Sequence, residues 1–229
     1  MSSPVVASRM NLAPAVLFDL DGTLVDSSGD LTAAVNALRQ TLGLAAVPVA
    51  QVRQSISSGS RAILALGLPE LEPDAREAFV EPFLLSYRDM IGHHDAVFDG
   101  IADVLETIES SGSCWGVVTN KREDLARIVL DRLDLSARCA VLIGGDTLAR
   151  HKPDPLPVVT ACERVGVDPR SAVFVGDDPR DVAAGRAAGT RTVAVRWGFH
   201  PADSDPSTWG ADWVIDAPGQ LLAVCAANP

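Results

Sequence analysis

The sequence has no long hydrophobic run and no excess of positive charge. No apolar stretch in its 229 residues approaches the ~18 consecutive residues that a membrane-spanning helix needs. Nineteen lysine and arginine side chains stand against thirty aspartates and glutamates, which gives a formal net charge of −11. Nucleic acids and anionic membranes both bind basic surfaces. We therefore expect neither a nucleic acid nor a membrane as partner.

Cysteine is also scarce. The chain has four cysteines, which are far apart and form no C-x-x-C pair: Cys114, Cys139, Cys162 and Cys225. A chain of this length buries enough surface to fold without disulfides or a structural metal. The first residues lack the cationic and apolar pattern of a secretory signal. We therefore expect reduced thiols in a cytoplasmic protein.

Short apolar runs alternate with helical patterns along most of the chain. Such runs, bounded by polar turns, are typical of strands that are buried on both faces of a parallel sheet. The runs are 15–18, 114–118, 140–143, 172–175 and 192–195, with a last short strand at 213–215. Amphipathic helical patterns lie at 101–108, 125–133 and 158–162. The alternation predicts an α/β protein with a doubly wound, mostly parallel sheet.

Residues 28–92 interrupt this alternation. Helical patterns continue through the segment at 31–38, 52–56, 62–66 and 75–85, with no strand pattern between them. An all-helical block inserted after the first strand predicts a second, smaller domain. We expect a core domain of residues 1–27 and 93–229 and a helical domain of residues 28–92. The two joints are expected near Val25–Ser28 and Ile91–Val97.

Two aspartates follow the first predicted strand. Asp19 and Asp21 are two residues apart at the strand end, so both carboxylates can face one pocket, and Gly22 permits a tight turn. Ligands of open α/β sheets bind beyond the carboxyl ends of the strands. By itself an Asp-Gly pair here is also a common turn, whereas the position of the glycine excludes an EF-hand calcium loop.

Polar segments occur at three further points. Thr119 and Asn120 offer a hydroxyl and backbone N–H groups after a strand, although such a pair alone is more often a helix cap. Asp177 begins a carboxylate cluster at the end of a later strand. Lys152, one of only two lysines, precedes a helix that begins with proline. Each segment alone has a structural interpretation, but the four together favour one shared site.

These four segments resemble the four motifs of the haloacid-dehalogenase-like hydrolase superfamily, and the helical insert resembles its helical cap. The resemblance covers nearly the whole chain and implies a Rossmann-like core domain. Within the superfamily the chain is most similar to the phosphoglycolate phosphatase-like branch. Segments outside the motifs, at 56–62, 191–198 and 209–212, resemble N-acetylmuramic acid 6-phosphate phosphatases of bacterial cell-wall recycling.

The resemblance implies a Mg²⁺-dependent phosphomonoester hydrolase. A carboxylate can attack phosphorus and form an aspartyl-phosphate, and we expect Asp19 to be this nucleophile. Asp21 is placed to protonate the leaving oxygen and then to deprotonate water. Asp19, the backbone carbonyl of Asp21 and Asp177 offer oxygen ligands to Mg²⁺. The family likeness implies that Asp181 holds water that is bound to the metal, and Asp178 is the alternative.

A phosphate dianion among carboxylates also requires positive charge. We expect Lys152, the Thr119 hydroxyl and the Asn120 N–H to hold the phosphoryl oxygens. The other lysine, Lys121, is expected at the rim of the site, where it steers anions toward the opening.

The helical insert contributes three further candidate residues for substrate binding. Gly59 and Ser60 are expected at a helix N-terminus with free N–H groups, which suit an anion. Arg61 can add a contact to a substrate carboxylate. The alternative interpretation is a serine-capped helix with a solvated arginine.

The expected partner is a small-molecule phosphate ester that carries a carboxylate. N-acetylmuramic acid 6-phosphate is preferred from the resemblance, and phosphoglycolate is the alternative. A phosphosugar mutase or a non-catalytic phosphosugar sensor is less favoured, and a metal-free dehalogenase does not need Asp21. The sequence leaves open whether the protein is a monomer or a homodimer.

Overall fold

The computed structural model describes residues 11–200 and 203–226. The domain limits predicted at residues 1 and 229 lie outside the described residues. Strands in chain order are β1 (Ala15–Phe18), β2 (Val25–Asp26), β3 (Ala96–Val97), β4 (Cys114–Val118), β5 (Leu142–Ile143), β6 (Ala172–Gly176), β7 (Arg191–Val195) and β8 (Trp213–Ile215). Helices are α1 (Ser28–Thr41), α2 (Val49–Arg53), α3 (Ser60–Gly67), α4 (Pro73–Glu77), α5 (Val80–Met90), α6 (Ile101–Ser110), α7 (Glu123–Arg132), α8 (Leu156–Val165), α9 (Pro179–Ala188) and α10 (Gln220–Ala226).

Six of the strands form one parallel sheet in the order β5-β4-β1-β6-β7-β8. Phe18 at the end of β1 lies beside Val117 of β4 and Val175 of β6, so the carboxyl ends of these three strands are level. After β1 the chain adds β4 and β5 on one side of this strand and then crosses over to add β6, β7 and β8 on the other side, and this change of direction creates a crevice beside β1. The predicted α/β fold with a parallel sheet is confirmed.

Apolar side chains of the central strands pack on both faces of the sheet. Val16 and Phe18 belong to one buried cluster, while Ala15 and Leu17 belong to the other. Successive strand residues point to opposite faces, so a strand that is buried on both faces is apolar at every position. This packing explains why the continuous apolar runs predicted the strands.

One strand is shorter than predicted. The apolar run 140–143 forms a strand only over Leu142–Ile143, at the edge of the sheet. An edge strand pairs on one side only, here with β4, so fewer residues of the run are held in the ladder.

Helices α1 to α5, called the insert below, lie between β2 and β3. These two short strands pair in antiparallel fashion, with Val25 opposite Val97 and Asp26 opposite Ala96. Both connections to the insert therefore run side by side, near the joints predicted from the sequence. The division of the chain into two domains with limits at 28 and 92 stays a prediction.

Within the insert, two helical patterns break earlier than predicted. The pattern at 52–56 divides into α2 and a 3₁₀ turn at Ile56–Ser58. The pattern at 75–85 divides into α4 and α5, because the Phe79 N–H bonds to the Arg76 carbonyl and tightens the chain between them.

The four cysteines are free thiols, as expected, and Cys162 and Cys225 are buried. Among the described residues, no helix combines the length and the apolar character that crossing a bilayer requires.

Candidate active site

The carboxyl ends of β1, β4 and β6 converge on one cavity. Asp19, Thr119 and Asp177 each directly follow one of these strands. Backbone hydrogen bonds extend the sheet to two of them, with 2.9 Å from Asp19 N to the Val175 carbonyl and 2.9 Å from Thr119 N to the Ile143 carbonyl. The predicted residues from distant parts of the sequence thus lie together.

Lys152 is buried between two carboxylates. Its Nζ lies 2.9 Å from Oδ1 of Asp19 and 2.6 Å from Oδ1 of Asp181, and the side chain is only 3% exposed. Burial alone would lower the pKa of Lys152, but the charges of Asp181 and Asp19 outweigh it and raise the pKa. The lysine is therefore a fixed cation at the centre of the site.

Asn120 holds the backbone that carries this lysine. Its Nδ2 donates to the Lys152 carbonyl at 2.9 Å, and its Oδ1 accepts from the Lys152 N–H at 3.0 Å. Beside it the Thr119 hydroxyl is buried and accepts the N–H of Lys121 at 3.2 Å. That contact leaves the hydroxyl proton of Thr119 free to be donated to an anion.

Three carboxylates form a group that can hold a cation. One oxygen each of Asp19, Asp177 and Asp181 lies within 4.8 Å of the others. Asp177 is fully buried and accepts hydrogen bonds from the Thr23 hydroxyl at 2.9 Å and the Phe199 N–H at 2.8 Å. Burial and the charge of Asp19 raise the pKa of Asp177 to about 7. Buried carboxylates this close together fit a hard divalent cation, which prefers oxygen ligands.

The backbone is built closely around Asp177. A Cβ added at Gly22 or at Gly198 would lie 2.2 Å from an atom of this aspartate. Gly22 also has φ +87°, in the left-handed region that favours glycine. The predicted turn at Gly22 therefore also makes room for the carboxylate of Asp177, which follows strand β6.

The structure separates the roles of Asp178 and Asp181. Asp178 caps α9, accepts the Arg180 N–H at 2.9 Å and pairs with its guanidinium at 2.7 Å. Burial alone would raise the pKa of Asp178, but the bonds from Arg180 outweigh it and lower the pKa. Asp181 is the residue that joins the carboxylate group with Asp19 and Asp177.

Lys121 does not lie at the rim, and that prediction is wrong. Its side chain is 8% exposed, and Nζ lies 2.9 Å and 3.1 Å from the two carboxylate oxygens of Asp21. Nζ also donates to the hydroxyl of Tyr87 at 2.7 Å. Helix α5 of the insert covers Lys121. The local sequence around the lysine does not indicate this packing. Sequence reasoning missed Tyr87, whose one signal is that it is the single tyrosine of the chain.

The insert presents the start of α3 to the cavity. Gly59 is the N-cap residue, with φ +86°, and Ser60 is the first helical residue, so the predicted helix N-terminus is confirmed. The free N–H predicted for Gly59 is wrong, because this N–H donates to the Ile56 carbonyl at 3.0 Å. Arg61 is exposed and pairs with Glu77, with 2.8 Å between Nε and Oε2. The solvated arginine of the alternative interpretation is therefore present, but the cap residue is glycine rather than serine.

Two further contacts join the insert to the carboxylate group. The Ser57 hydroxyl donates to Oδ2 of Asp177 at 3.4 Å. The guanidinium of Arg180, already held by Asp178, donates to the Ser57 carbonyl. Neither contact has a local signal in the sequence, because both depend on how the insert packs over the sheet.

The cavity has a volume of about 530 Å³. Asp19, Asp21, Thr119 and Lys152 are among its polar lining residues. Apolar side chains, mostly from the insert, also line it: Leu31, Ile56, Ile63, Phe83, Leu84 and Leu125. Pockets of this size and character bind small organic molecules.

Comparison with known proteins gives consistent matches. The family described as haloacid dehalogenase-like hydrolase matches residues 16–195. A phosphoglycolate phosphatase of Xanthomonas campestris is 49% identical over 93% of this chain and 96% of its own. An N-acetylmuramic acid 6-phosphate phosphatase of Pseudomonas aeruginosa is 43% identical over 94% of this chain and 96% of its own. The crystal structure of a predicted phosphoglycolate phosphatase from Haemophilus somnus superposes with a TM-score of 0.81 at 25% identity, covering 92% and 97% of the two chains.

Proposed function

Because the chain belongs to the haloacid dehalogenase-like hydrolase family and is a phosphoric monoester hydrolase, we propose that it hydrolyses N-acetylmuramic acid 6-phosphate. We propose further that the reaction proceeds through an aspartyl-phosphate on Asp19 and requires Mg²⁺. The arrangement of carboxylates and lysines at the strand ends supports the mechanism, and the shape of the cavity supports the substrate.

Asp19 is the nucleophile of this proposal. Lys152 Nζ and the Leu20 N–H, the latter at 2.7 Å, both contact Oδ1 of Asp19, so the carboxylate is oriented before the substrate arrives. A carboxylate oxygen of Asp19 forms a bond to phosphorus while the bond between phosphorus and the ester oxygen breaks. Water then attacks the same phosphorus and releases phosphate, which restores the carboxylate.

Asp21 moves the protons of both steps. It gives a proton to the departing ester oxygen, and afterwards it accepts a proton from the attacking water. Its carboxylate lies in the same cavity as Asp19 and is held by Lys121. A sugar alkoxide leaves poorly without this proton, so the step depends on Asp21.

Positive charge makes the approach of a phosphate dianion favourable. Lys152 and the Thr119 hydroxyl bind phosphoryl oxygens, and they strengthen their contacts as charge develops in the transition state. Asp19, Asp177 and the carbonyl of Asp21 would hold Mg²⁺, with Asp181 fixing its water. Bound Mg²⁺ would supply the charge that offsets the phosphate and the carboxylate group.

The observation that carries the substrate proposal is the size of the cavity together with its apolar lining. With a volume of about 530 Å³ and an apolar wall, the cavity accommodates a sugar with an acetamido group. Ser60 and Arg61, the first residues of α3, line the same cavity, and N–H groups at a helix start suit the lactyl carboxylate. Phosphoglycolate, a far smaller molecule, would leave this wall without contact.

Phosphoglycolate is nevertheless the second candidate. The relative that shares 49% identity carries the name phosphoglycolate phosphatase. Phosphoglycolate also offers a carboxylate to the start of α3, so the polar contacts alone do not separate the two substrates.

The deciding experiment compares kcat/KM for three substrates in the presence of Mg²⁺. N-acetylglucosamine 6-phosphate is the matched control, because it lacks only the lactyl ether of N-acetylmuramic acid 6-phosphate. We expect N-acetylmuramic acid 6-phosphate to give the highest kcat/KM and the control to fall at least ~10-fold below it, the scale of a lost charged contact. A higher kcat/KM for phosphoglycolate would overturn the proposed substrate in favour of the second candidate.

A further inference from the structure

Tyr87 links the insert to Asp21, which is the proton donor of the proposed function. The tyrosine lies on α5 and is 1% exposed, and its ring stacks on Phe83 with 6.4 Å between centroids. Asp21 and Lys121 belong to the ends of β1 and β4 in the sheet. The three side chains nevertheless form one connected group, because Lys121 contacts both of the others.

The ammonium group of Lys121 is fully engaged by these partners. It has three N–H donors, and it meets the two carboxylate oxygens of Asp21 and the hydroxyl of Tyr87. Nζ also lies 4.4 Å from the centroid of the Tyr87 ring, within the range of a cation–π contact. A lysine side chain is long and flexible, so the Tyr87 hydroxyl, as a third acceptor, fixes the position of the Lys121 ammonium against Asp21.

The phenol of Tyr87 acts here as a neutral acceptor. Burial and the charge of Asp21 raise the pKa of Tyr87 well above its usual range, so the hydroxyl keeps its proton. A neutral hydroxyl can accept the lysine N–H without competing with Asp21 for its charge. The tyrosine therefore anchors the lysine in contact with the Asp21 carboxyl group.

We propose that Tyr87 is a positioning residue of the reaction, which acts through Lys121 to hold the Asp21 carboxyl in line with the departing ester oxygen. The inference rests on the role of Asp21 in the proposed function. Since Tyr87 belongs to the insert and Asp21 to the sheet, the proton donor is correctly placed only while α5 covers the site. Contact with the insert thereby controls the transfer of the proton from Asp21 to the ester oxygen as the bond to phosphorus breaks.

The proposal predicts an effect that depends on the leaving group. Phenolate needs the proton of Asp21 when it departs, whereas p-nitrophenolate is a far weaker base and departs without it. The two aryl phosphates are nearly the same size, so a defect in binding or folding affects both alike. Their kcat/KM values report the phosphoryl-transfer step even where a later step limits kcat.

The test is Tyr87→Phe, which removes the hydroxyl and keeps the ring. We expect kcat/KM for phenyl phosphate to fall at least ~10-fold, and kcat/KM for p-nitrophenyl phosphate to fall less than about twofold. The matched control is Ser86→Ala, which removes a neighbouring hydroxyl on α5 whose nearest acceptor, the Ala34 carbonyl, is 3.5 Å away. This control should leave the ratio of the two substrates unchanged.

Asp21→Asn distinguishes the inference from the function on which it rests. If Asp21→Asn slows phenyl phosphate selectively while Tyr87→Phe slows both esters equally or neither, the positioning role is overturned and the proposed function stands. If Asp21→Asn slows both esters equally, Asp21 is not the proton donor, and the inference is overturned together with that part of the function.

In a Lys121→Met background, Tyr87→Phe should have no further effect, because its action passes through the lysine. An undiminished effect there would also overturn the proposal.

Discussion

Lys152 and Asp19 form a buried ion pair, with 2.9 Å between Nζ of the lysine and Oδ1 of the aspartate. The same Nζ contacts Asp181, so one positive charge serves two carboxylates while Asp177 stands beside them. The positive charge of Lys152 therefore does not offset the three carboxylates, and a bound cation would supply the remainder.

Replacing Lys152 should slow the reaction strongly. Lys152→Ala removes the proposed donor to the phosphoryl oxygens and the partner of Asp19, and we expect kcat to fall by ~10²–10³, as when one donor leaves a preorganised site. Steady-state kinetics with p-nitrophenyl phosphate measures the loss. Arg150→Ala, an exposed cation two residues away, is the control and should leave kcat within about twofold. Comparable losses in the two variants would contradict the assignment.

Mg²⁺ should stabilise the folded protein through the carboxylate group. In the proposed function Mg²⁺ binds Asp19 and Asp177 in the folded state only, so it should raise Tm in a concentration-dependent manner. Asp177→Asn should need a much higher Mg²⁺ concentration for the same rise. Asp178→Asn is the control, because Asp178 caps α9 and pairs with Arg180. Thermal unfolding at increasing Mg²⁺ tests this, and an equal loss of the Mg²⁺ effect in Asp178→Asn would contradict the site.

Asp95 should make stability fall as the pH rises. Burial and the nearby charge of Asp30 raise the pKa of Asp95 to about 8, and its Oδ2 is buried with no hydrogen-bond partner among the described residues. The folded protein then binds a proton here that the unfolded chain releases above about pH 4. Between these two pKa values, stability should fall by up to about 1.4 kcal/mol per pH unit.

Asp95→Asn removes this titration and keeps the shape of the side chain. The difference in unfolding free energy between wild type and Asp95→Asn should therefore shift in favour of the variant from pH 5 to pH 8, without Mg²⁺. Urea unfolding across this range measures it, with exposed Asp89→Asn as control. A difference that does not change with pH would show that Asp95 is ionised in the folded protein.

Breaking the ion pair between Arg61 and Glu77 should change KM for a carboxylated substrate. The pair is exposed at the edge of the cavity, so breaking it from either side has opposite consequences for a carboxylated substrate. Arg61→Ala should raise KM for N-acetylmuramic acid 6-phosphate, and Glu77→Gln, which frees the guanidinium, should lower it. Neither should change KM for p-nitrophenyl phosphate. A parallel shift of KM in both variants would remove Arg61 from substrate binding.

Much of the fold and the floor of the site was predictable from local sequence. Strands buried on both faces are apolar throughout, so the runs that end at Asp19 and Asp177 were visible, and parallel strands bring their carboxyl ends together. Asp181 was harder to separate from Asp178, since only the capping geometry of α9 shows which carboxylate turns inward. Both aspartates fit the start of a helix equally well in the sequence.

The contacts of Lys121, Tyr87 and Ser57 were not predictable in this way. Each joins the insert to the sheet across a long stretch of sequence. Local periodicity indicates which face of a helix is apolar, but not the position at which that face rests on another layer. The assignment of Lys121 to the rim was wrong for this reason.

In the proposed mechanism, the phosphoryl group is transferred to Asp19 before water releases it as phosphate. Acid quenching during turnover of p-nitrophenyl phosphate, followed by borohydride reduction and peptide mass spectrometry, tests this most directly, because borohydride converts an aspartyl-phosphate to homoserine. We predict homoserine at position 19 in the presence of substrate and Mg²⁺, and unmodified aspartate when substrate is omitted. Continued turnover with unmodified Asp19, or homoserine at Asp21 or Asp177 instead, would contradict the account.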